Sequence, residues 1–401
     1  MRVLVFSKLF WPEGGGAELA TYLIIRDILS KYFNVIVVSG TRNPEPDIFK
    51  HAKYVHWSAL EAKYKPIEWI KTFTSIGWVK NLVKKADIVY IPSHTLMPLV
   101  ISVKTIDLKA KVVLHLHNYQ LLTYTSIVLA GREPDAATDI IVELAEHKSP
   151  LRALPVGFGH YINYINRFAA ILADKIICVS RKQCEIILRH IAEVRNKAEV
   201  IYNPPPPIPP ISKKLGEEPV LIYAGGASYI KGFQTLLKAL AKILGKYKAK
   251  AYVILGGASP KEKAFVMKLA EEVNRRLIPL NKLPHNEYLK LHEHAWALLF
   301  PSITEEPLPY AIVESMMAGT IPIASKIGGV HEIIKDTPAE RFLFTSEDMD
   351  EFVDKIELLF SYSKDNVINI GARLREHMLK IFNIEVIEKS LLNLVQECLN
   401  N

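Results

Sequence analysis

Two glutamates separated by seven residues, Glu306 and Glu314, lie on the two sides of a predicted loop-to-helix junction, and their carboxylates could accept hydrogen bonds from hydroxyl groups. They stand in the run SITEEPLPYAIVESMMAGTIPIAS. The proline-rich stretch 301–309 predicts a loop, and the apolar spacing of 310–318 predicts a helix that ends before Gly319. One carboxylate therefore precedes a helix and the other lies on it.

The start of that helix is a predicted anion site. Free backbone amides at a helix N-terminus attract phosphate, while flanking carboxylates accept hydrogen bonds from sugar hydroxyls. The plain alternative is an acidic helix start with a solvated Glu314. Together with the preceding apolar strand and the IPIASKIGG run that follows, the pair favours a nucleotide-sugar site.

A glycine run, in PEGGGAELATYLIIRDIL, follows the first predicted strand. Glycines allow close backbone approach, and the helix that begins there offers unpaired amides, so this loop is a second candidate contact for a diphosphate. A nicotinamide-binding fingerprint would need a third glycine at Leu19 and an acidic residue after the second strand. A nicotinamide oxidoreductase is therefore disfavoured, and a plain tight turn is the other alternative.

Two histidines in LHLHNYQ share one face of a predicted strand. His117 stands at the carboxyl end, where doubly wound sheets bind ligands, and Asn118 follows it in the loop. We therefore expect His117 to reach the site. His115 is expected to be a core histidine that hydrogen-bonds to backbone. A metal site made by the pair is a poor interpretation because no convincing third ligand is nearby.

The composition predicts two globular domains and no membrane span. The chain has 401 residues, 49% of them hydrophobic, and no apolar run reaches the roughly 18 residues that a spanning helix needs. Its first apolar run is too short for a signal peptide, so a cytoplasmic location is expected. The three cysteines, Cys178, Cys184 and Cys398, lack metal-site spacing and should be buried reduced thiols.

The net charge of +8 comes entirely from the first half of the chain. Residues 1–202 contain 26 Lys and Arg against 18 Asp and Glu, whereas the remainder contains 24 of each. That half should favour an anionic partner, and nucleic acid is not the one we expect. The lysine clusters at 80–85 and 104–111 predict contact with an anionic membrane surface; an ordinary solvated face is the alternative.

Both halves alternate strand and helix, which predicts α/β domains with parallel sheets. The strands are expected at 2–6, 34–39, 87–92, 111–115, 175–179, 220–224, 251–255, 295–300 and 320–324. The proline-dense run 203–219 between the halves predicts a stiff hinge, and a ligand for a proline-binding module is the alternative. Two doubly wound domains would place the ligand in the cleft between their strand ends.

The glutamate-pair segment resembles the donor-binding segment of retaining GT-B glycosyltransferases of family 4, and the likeness extends over nearly the whole chain. The resemblance implies the α/β GT-B fold, in which two Rossmann-like doubly wound domains face each other across a cleft. Residues 1–203 would then form the acceptor-side domain and 204–382 the donor-binding domain. The helix at 383–401 would cross back onto the first domain.

The same resemblance implies a role for several residues. Glu306 would face the donor hexose and Glu314 would hold the ribose. His117 would lie beside the donor sugar, and Gly15 and Gly16 would contact the donor.

In the second domain, LIYAGGASYIKGFQ places Lys231 at the family's phosphate-clamping lysine. The family's arginine falls at Gly226, so one of the two usual positive charges is absent. Its loss should weaken donor binding unless another cation substitutes, and Lys326 and Arg181 are the candidates. The family's glycine-containing stretch after the first glutamate is here Pro307, Leu308 and Pro309. Because proline has no amide hydrogen, phosphate contacts should fall on the amides of Tyr310 and Ala311.

The activity implied is transfer of a hexose from a nucleotide sugar, a UDP- or GDP-sugar, to a lipid-linked, glycan or other hydroxyl acceptor, without a bound metal or cofactor. The basic first half would meet an anionic or lipid-linked acceptor, with peripheral contact at the inner membrane face. The departures at Gly226 and Pro307 keep a second interpretation open. This is a non-catalytic sugar-nucleotide or glycan-binding protein on the same fold.

Overall fold

Seven parallel strands form the sheet of the first half. The computed structural model describes residues 1–92 and 94–400. Across the sheet the strands run in the order β3-β2-β1-β4-β5-β6-β7. They are β1 Arg2–Ser7, β2 Asn34–Ser39, β3 Lys53–His56, β4 Ile88–Ile91, β5 Lys111–Leu116, β6 Lys175–Cys178 and β7 Ala198–Val200.

A second parallel sheet, of six strands, is built by the second half in the order β10-β9-β8-β11-β12-β13. Its strands are β8 Val220–Tyr223, β9 Lys250–Ile254, β10 Leu277–Leu280, β11 Ala297–Phe300, β12 Ile321–Ser325 and β13 Leu343–Phe344. In both sheets the strand order reverses beside the first strand of the half. This is the doubly wound arrangement, in which ligands bind beyond the strands' carboxyl ends.

Helices connect the strands. In the first half they are α1 Gly16–Ile24, α2 Ser30–Tyr32, α3 Lys65–Thr74, α4 Lys80–Val83, α5 Leu99–Ile106, α6 Ala136–His147, α7 Pro150–Ile162, α8 Tyr164–Leu172 and α9 Arg181–His190. In the second half they are α10 Phe233–Lys246, α11 Pro260–Glu272, α12 His285–Leu291, α13 Tyr310–Met317, α14 Gly328–Ile334, α15 Met349–Phe360, α16 Lys364–Ile381 and α17 Ile384–Asn400.

The α/β architecture predicted from the sequence is confirmed, and all nine predicted strands are present with ends within two residues of the prediction. The strands that the sequence did not indicate are β3, β7, β10 and β13, which are the edge strands of the two sheets. An edge strand has a partner on one side only and carries fewer apolar residues. The pattern of apolar runs therefore identified the interior strands and missed the edges.

Alternate side chains of a central strand point to opposite faces of the sheet and join two different hydrophobic clusters. In β1, Val3 and Val5 join one buried cluster while Leu4 and Phe6 join another on the opposite face. A strand buried on both faces needs helices on both sides, which is why every position of this strand after Arg2 is buried. The rigid sheet holds the loops after its strands in fixed positions.

The proline-rich connector and the last helix each join the two halves. Lys213 in the connector donates to the His292 carbonyl at 2.7 Å and to Thr320 Oγ1 at 2.6 Å, which fastens it to the second half. Helix α17 returns to the first half, where Lys175 Nζ lies 2.7 Å from Glu397 Oε2. The domain limits at 203 and 382 remain predictions.

Two composition-based expectations have structural counterparts. All three cysteines are buried and free, as predicted. In the part of the chain that the structure describes, no helix combines the length and the apolar character that crossing a bilayer requires.

Candidate functional site

The loop after β8 carries Lys231 and is pressed against the chain that follows β11. Gly232 has φ of +70°, and a Cβ there would lie 1.7 Å from the Pro301 carbonyl oxygen, so only glycine fits. The Ile303 amide donates to the Ile230 carbonyl at 3.0 Å. These contacts hold the residues on both sides of Lys231 against the loop that leads to helix α13.

Lys231 forms an ion pair with Glu306, since its Nζ lies 2.6 Å from Oε1 of the glutamate. The hydroxyls of Ser302 and Thr304 donate to the same oxygen at 2.8 and 3.2 Å. Glu306 is buried, with 8% of its surface exposed. Three donors on one oxygen orient this carboxylate and leave Oε2 as its other acceptor.

Two glycines behind Glu306 fix its backbone. The Gly329 amide donates to the Glu306 carbonyl at 2.7 Å. A Cβ at Gly328 would lie 2.2 Å from that same carbonyl oxygen, so the backbones touch where no side chain fits. The Gly328 amide donates to Glu305 Oε2 at 2.6 Å. The glycines of the IPIASKIGG run therefore support the candidate site from the start of α14.

Helix α13 brings the second glutamate to its position. The helix begins at Tyr310, so the amides of Tyr310 and Ala311 lie in its first turn, where no helical carbonyl precedes them. Glu314 lies one turn further along and is buried. Its Oε1 lies 2.8 Å from Nε2 of His285 at the start of α12.

The His285 contact is one that sequence reasoning missed. Hydrogen bonding to Glu314 raises the pKa of His285 above its usual value, against the opposing effect of burial. The sequence around it, NKLPHNEYLKLHEHA, contains three histidines at no diagnostic spacing. Only the fold shows which of them faces the carboxylate.

Tyr310 connects helix α13 to the proline-rich connector and to the glycine loop of the first domain. Its hydroxyl donates to the Pro204 carbonyl at 2.6 Å. A Cβ on Gly16 would lie 3.5 Å from Cδ2 of the tyrosine ring, so the glycine loop meets the start of α13. The Gly15 amide donates to Glu18 Oε2 at 2.7 Å, and a Cβ on Gly15 would face open space. The two predicted phosphate contacts, the glycine loop and the α13 amides, thus lie together.

His117 lies at the carboxyl end of β5, close to the same junction. Its Nδ1 lies 3.3 Å from Nδ2 of Asn203, the residue that precedes Pro204. Its Nε2 is buried and, within the described chain, has no hydrogen-bond partner. Burial lowers the pKa of His117 to about 4, so the imidazole is neutral at physiological pH. A neutral ring with one occupied nitrogen offers the other to a ligand.

Its neighbours in LHLHNYQ have structural contacts. His115 hydrogen-bonds to the Tyr90 hydroxyl rather than to backbone, and burial holds the His115 pKa well below its usual value. Asn118 Oδ1 accepts from the Gln120 amide at 3.0 Å. Gln183 Nε2 donates to the Asn118 carbonyl at 3.1 Å. The loop that presents His117 is therefore held on both sides.

The two domains contact each other directly at this site. Residues 128–130 of the first domain pair with 303–305 of the second, with the Glu305 amide donating to the Val128 carbonyl at 2.8 Å. Glu146 of helix α6 accepts from the Ser228 hydroxyl and the Ile230 amide, both at 2.8 Å. The Lys231 loop is thus fixed by a carboxylate of the opposite domain.

A cavity of about 590 Å³ opens beside the Lys231 loop and is lined by Glu146, Ala227 and Tyr229, among others. Neither Glu306 nor Glu314 lines it. Glu306 instead pairs with Lys231, and Glu314 contacts His285.

The glycine that stands in place of the family's arginine has a steric explanation. Gly226 has φ of +67°, and a Cβ there would lie 2.6 Å from the Gly256 carbonyl oxygen. Any side chain at 226 would therefore strain the loop. Two residues are the proposed replacements. Lys326 is exposed and directly follows β12, and Arg181 is the first residue of α9. The start of α9 lies close to α14, since a Cβ on Gly329 would be 3.3 Å from the hydroxyl of Ser180. Their roles remain predictions.

Within the described residues, no group of three or more His, Cys, Asp or Glu side chains is arranged to hold a metal ion. Lys231 and Glu306 are brought together, as are Gly16 and Tyr310. Glu314 and His117 take part in separate contacts, Glu314 with His285 and His117 with Asn203.

Comparison with protein families covers most of the chain. Residues 14–205 match the model described as Glycosyltransferase Family 4, and residues 206–374 match the model described as Glycosyl transferases group 1. An uncharacterized glycosyltransferase of Methanocaldococcus jannaschii is 26% identical over 190 residues. That match covers 44% of this chain and 47% of the relative's own length.

Two solved structures share the fold over the full chain. Sucrose-phosphate synthase from Thermosynechococcus elongatus has a TM-score of 0.75 at 17% identity, covering 99% of this chain and 98% of its own. The HepE protein of Anabaena, in complex with UDP-glucose, has a TM-score of 0.66 at 17% identity, covering 99% and 100%. At these identities the likeness shows the GT-B fold, which confirms the predicted fold class.

Proposed function

Because the chain belongs to the group 1 family of GT-B glycosyltransferases, we propose that it transfers a hexose from a nucleotide sugar to a hydroxyl acceptor with retention of anomeric configuration. The observation that carries this proposal is the Lys231–Glu306 ion pair of 2.6 Å at the approach to helix α13. It joins a cation suited to a diphosphate with a carboxylate suited to sugar hydroxyls. The donor is a UDP- or GDP-sugar, and the solved HepE complex with UDP-glucose supports this class.

We assign binding of the donor diphosphate to Lys231, the first turn of α13 and the glycine loop. Lys231 supplies positive charge, and the first-turn amides of Tyr310 and Ala311 donate along the helix dipole. The loop at Gly15 and Gly16 approaches the same place from the other domain. As the sugar–phosphate bond breaks, charge accumulates on the leaving diphosphate, and these donors stabilise it most at that stage.

Orientation of the two sugar rings falls to the carboxylates. Glu306 has Oε2 available for a hexose hydroxyl, while its Oε1 is held by three donors. Glu314, one turn into α13, accepts from a ribose hydroxyl beside His285. His117 donates from Nε2 to the hexose, because Nδ1 is engaged by Asn203.

The transfer step proceeds on one face of the sugar. The acceptor oxygen bonds to the anomeric carbon as the bond to the diphosphate breaks, and the acceptor proton passes to an oxygen of the leaving phosphate. No enzyme nucleophile is required. Closure of the two domains about the connector would exclude water from this step. The acceptor meets the basic first domain, at the cytoplasmic face of a membrane.

The test is transfer chemistry itself. The purified chain is incubated with UDP- and GDP-hexoses and hydroxyl acceptors, and the anomeric configuration of the product is read from its proton coupling by NMR. A product with the donor's configuration supports the proposal, and an inverted product refutes retention. Binding of sugar nucleotides without hydrolysis or transfer would instead identify a non-catalytic binding protein.

A further inference from the structure

Helices α7 and α8 have their apolar and polar faces reversed. Bulky apolar side chains face solvent, with 86% of Leu151 and 73% of Phe158 exposed. The opposite face is buried and carries small or polar residues, namely Ala153, Gly157, His160, Asn163 and Asn166. A helix on the surface of a water-soluble domain normally shows the reverse. The other exposed apolar residues are Leu154, Tyr161, Ile162, Tyr164, Phe168 and Ile171.

Hydrogen bonds fix this orientation. His160 Nδ1 lies 2.8 Å from Oδ2 of the buried Asp139. Asn163 Oδ1 accepts from Gln120 Nε2 and from Asn166 Nδ2, both at 2.6 Å. Rotating the helices to bury their apolar side chains would leave these polar groups unpaired inside the protein, which is costly. The apolar face is therefore a stable feature of the fold.

Helix α3 repeats the reversal. Its buried side holds Glu68, which is 0% exposed and lies 2.8 Å from Lys8 Nζ. Its solvent side carries Ile67, Ile70 and Phe73, all more than 45% exposed, and the exposed Trp78 follows the helix. Ile67 lines a cavity of about 640 Å³ together with Leu151 and Pro155 of α7. We call the exposed apolar residues of α3, α7 and α8 the apolar face.

The charges around the apolar face are positive. Residues 62–85 contain six lysines and one glutamate, the buried Glu68, and residues 148–172 contain two arginines, one lysine and no acidic residue. Lys80, Lys84 and Lys85 lie within seven residues after Trp78 in the chain. Bulky aliphatic and aromatic side chains bordered by Lys and Arg form the pattern of a surface that enters an anionic lipid interface.

The cavity extends from the apolar face to a residue that contacts the Lys231 loop. It is lined by apolar groups such as Ile127 and Val142, and Lys65 and Arg152 also contribute to its lining. Glu146 lines it too, and the same carboxylate binds the loop that carries Lys231. A ligand that entered from the apolar face would thus approach the donor site without leaving the protein surface.

We propose that the apolar face inserts into the surface of an anionic lipid bilayer and that the 640 Å³ cavity receives a lipid-attached acceptor from it. The role of the cavity in receiving an acceptor rests on the proposed transferase function. Insertion into the bilayer does not depend on that function. The insertion is hydrophobic at its centre and electrostatic at its border. Binding should therefore weaken with salt without vanishing.

Bilayer binding is tested with the full chain and vesicles of equal parts phosphatidylcholine and phosphatidylglycerol, by flotation and without any nucleotide. The double variant Leu154→Asp with Phe158→Asp should bind about tenfold more weakly or worse, because two apolar groups are lost from the insertion. The matched control, Met267→Asp with Leu379→Asp, alters two similarly exposed apolar residues of the second domain and should bind like the wild type. Equal binding by both doubles would overturn the proposal.

Two further measurements separate the remaining outcomes. Light scattering without lipid reports self-association: a stable dimer that Leu154→Asp dissolves, with no vesicle binding, would make the face a protein interface and end the proposal. Donor hydrolysis in water reports the transferase function separately. Transfer to a vesicle-borne hydroxyl acceptor should fall in the Leu154→Asp and Phe158→Asp double variant while donor hydrolysis stays intact. Equal loss of both would place the defect in the transfer site and overturn the acceptor route.

Discussion

Nζ of Lys231 and Oε1 of Glu306 lie 2.6 Å apart, so the predicted phosphate clamp and the predicted hexose ligand are partners in one ion pair. The lysine is about one-third exposed and the glutamate almost fully buried. A diphosphate that approached Lys231 would compete with Glu306 for the ammonium group. Under the proposed function, binding of the leaving group would therefore free a carboxylate for the sugar.

Replacing Lys231 by Ala should weaken binding of a nucleotide sugar by about 10- to 100-fold, because a hydrogen bond to a charged group is lost. Calorimetric titration with UDP-glucose and a GDP-hexose measures the change. Lys248→Ala, which removes an exposed lysine between α10 and β9, is the control and should bind normally. Unchanged affinity in Lys231→Ala would remove the lysine from the clamp.

Glu306→Gln separates the two halves of the pair. Without its negative partner, Lys231 should bind a nucleoside diphosphate more tightly, by a few-fold to about tenfold. Transfer should fall, because the hexose loses its carboxylate acceptor. Affinity for the free diphosphate and kcat for transfer are measured in the same preparation. A parallel fall in both would mean that Glu306 supports the loop and does not contact the sugar.

The contact between His285 and Glu314 predicts a pH dependence. The glutamate raises the pKa of His285, so the stabilisation is complete below about pH 6.5, the unfolded value, and is lost as pH rises through the higher folded pKa. Glu314→Gln should therefore cost more stability at pH 6 than at pH 9. Urea unfolding at both values measures this, and NMR titration of His285 should show its pKa fall in the variant. A pH-independent loss would contradict the pairing.

Much of this architecture could be predicted from the sequence because apolar runs report burial. β1 and β5 are central strands covered on both faces, so VLVF and VVLHL were visible, whereas the edge strand β3 has a single neighbour and gave no signal. Local spacing likewise indicated Glu306 and Glu314. It did not indicate His285 or Glu146, since their contacts with Glu314 and Ile230 join positions 29 and 84 residues apart. Such contacts depend on how the domains are packed.

Replacing Gly226 by a residue with a side chain should destabilise the protein. At φ of +67° a Cβ would lie 2.6 Å from the Gly256 carbonyl oxygen, which adds a backbone clash to conformational strain. Gly257 has φ of +74°, and a Cβ there would have no neighbouring atom within 4 Å, so Gly257→Ala carries the strain without the clash. We expect Gly226→Ala to lower the free energy of unfolding by about 1–3 kcal/mol more than Gly257→Ala. Equal losses in thermal and urea unfolding would contradict the steric account.

The neutral state of His117 has a consequence in acid. Burial lowers its pKa to about 4, so the unfolded chain binds a proton that the folded chain refuses between about pH 6.5 and 4. Above pH 6.5 His117 is neutral in both states and does not affect the free energy of unfolding. As pH falls from about 6.5 to 4, the unfolded chain takes up the proton and the free energy of unfolding decreases. For one group with this shift the loss approaches about 3 kcal/mol.

His117→Gln removes that titration while keeping a polar side chain beside Asn203. The variant should lose less stability than the wild type between pH 7 and about pH 4.5, and the difference between the two curves isolates His117 from other buried histidines such as His292.

Transfer should be weakened in His117→Gln at every pH above 6, because the neutral ring supplies a hydrogen bond and not a charge. A transfer rate that followed protonation near pH 6.5 would mean that the imidazole is solvated and charged in the working enzyme, against the burial seen at Nε2.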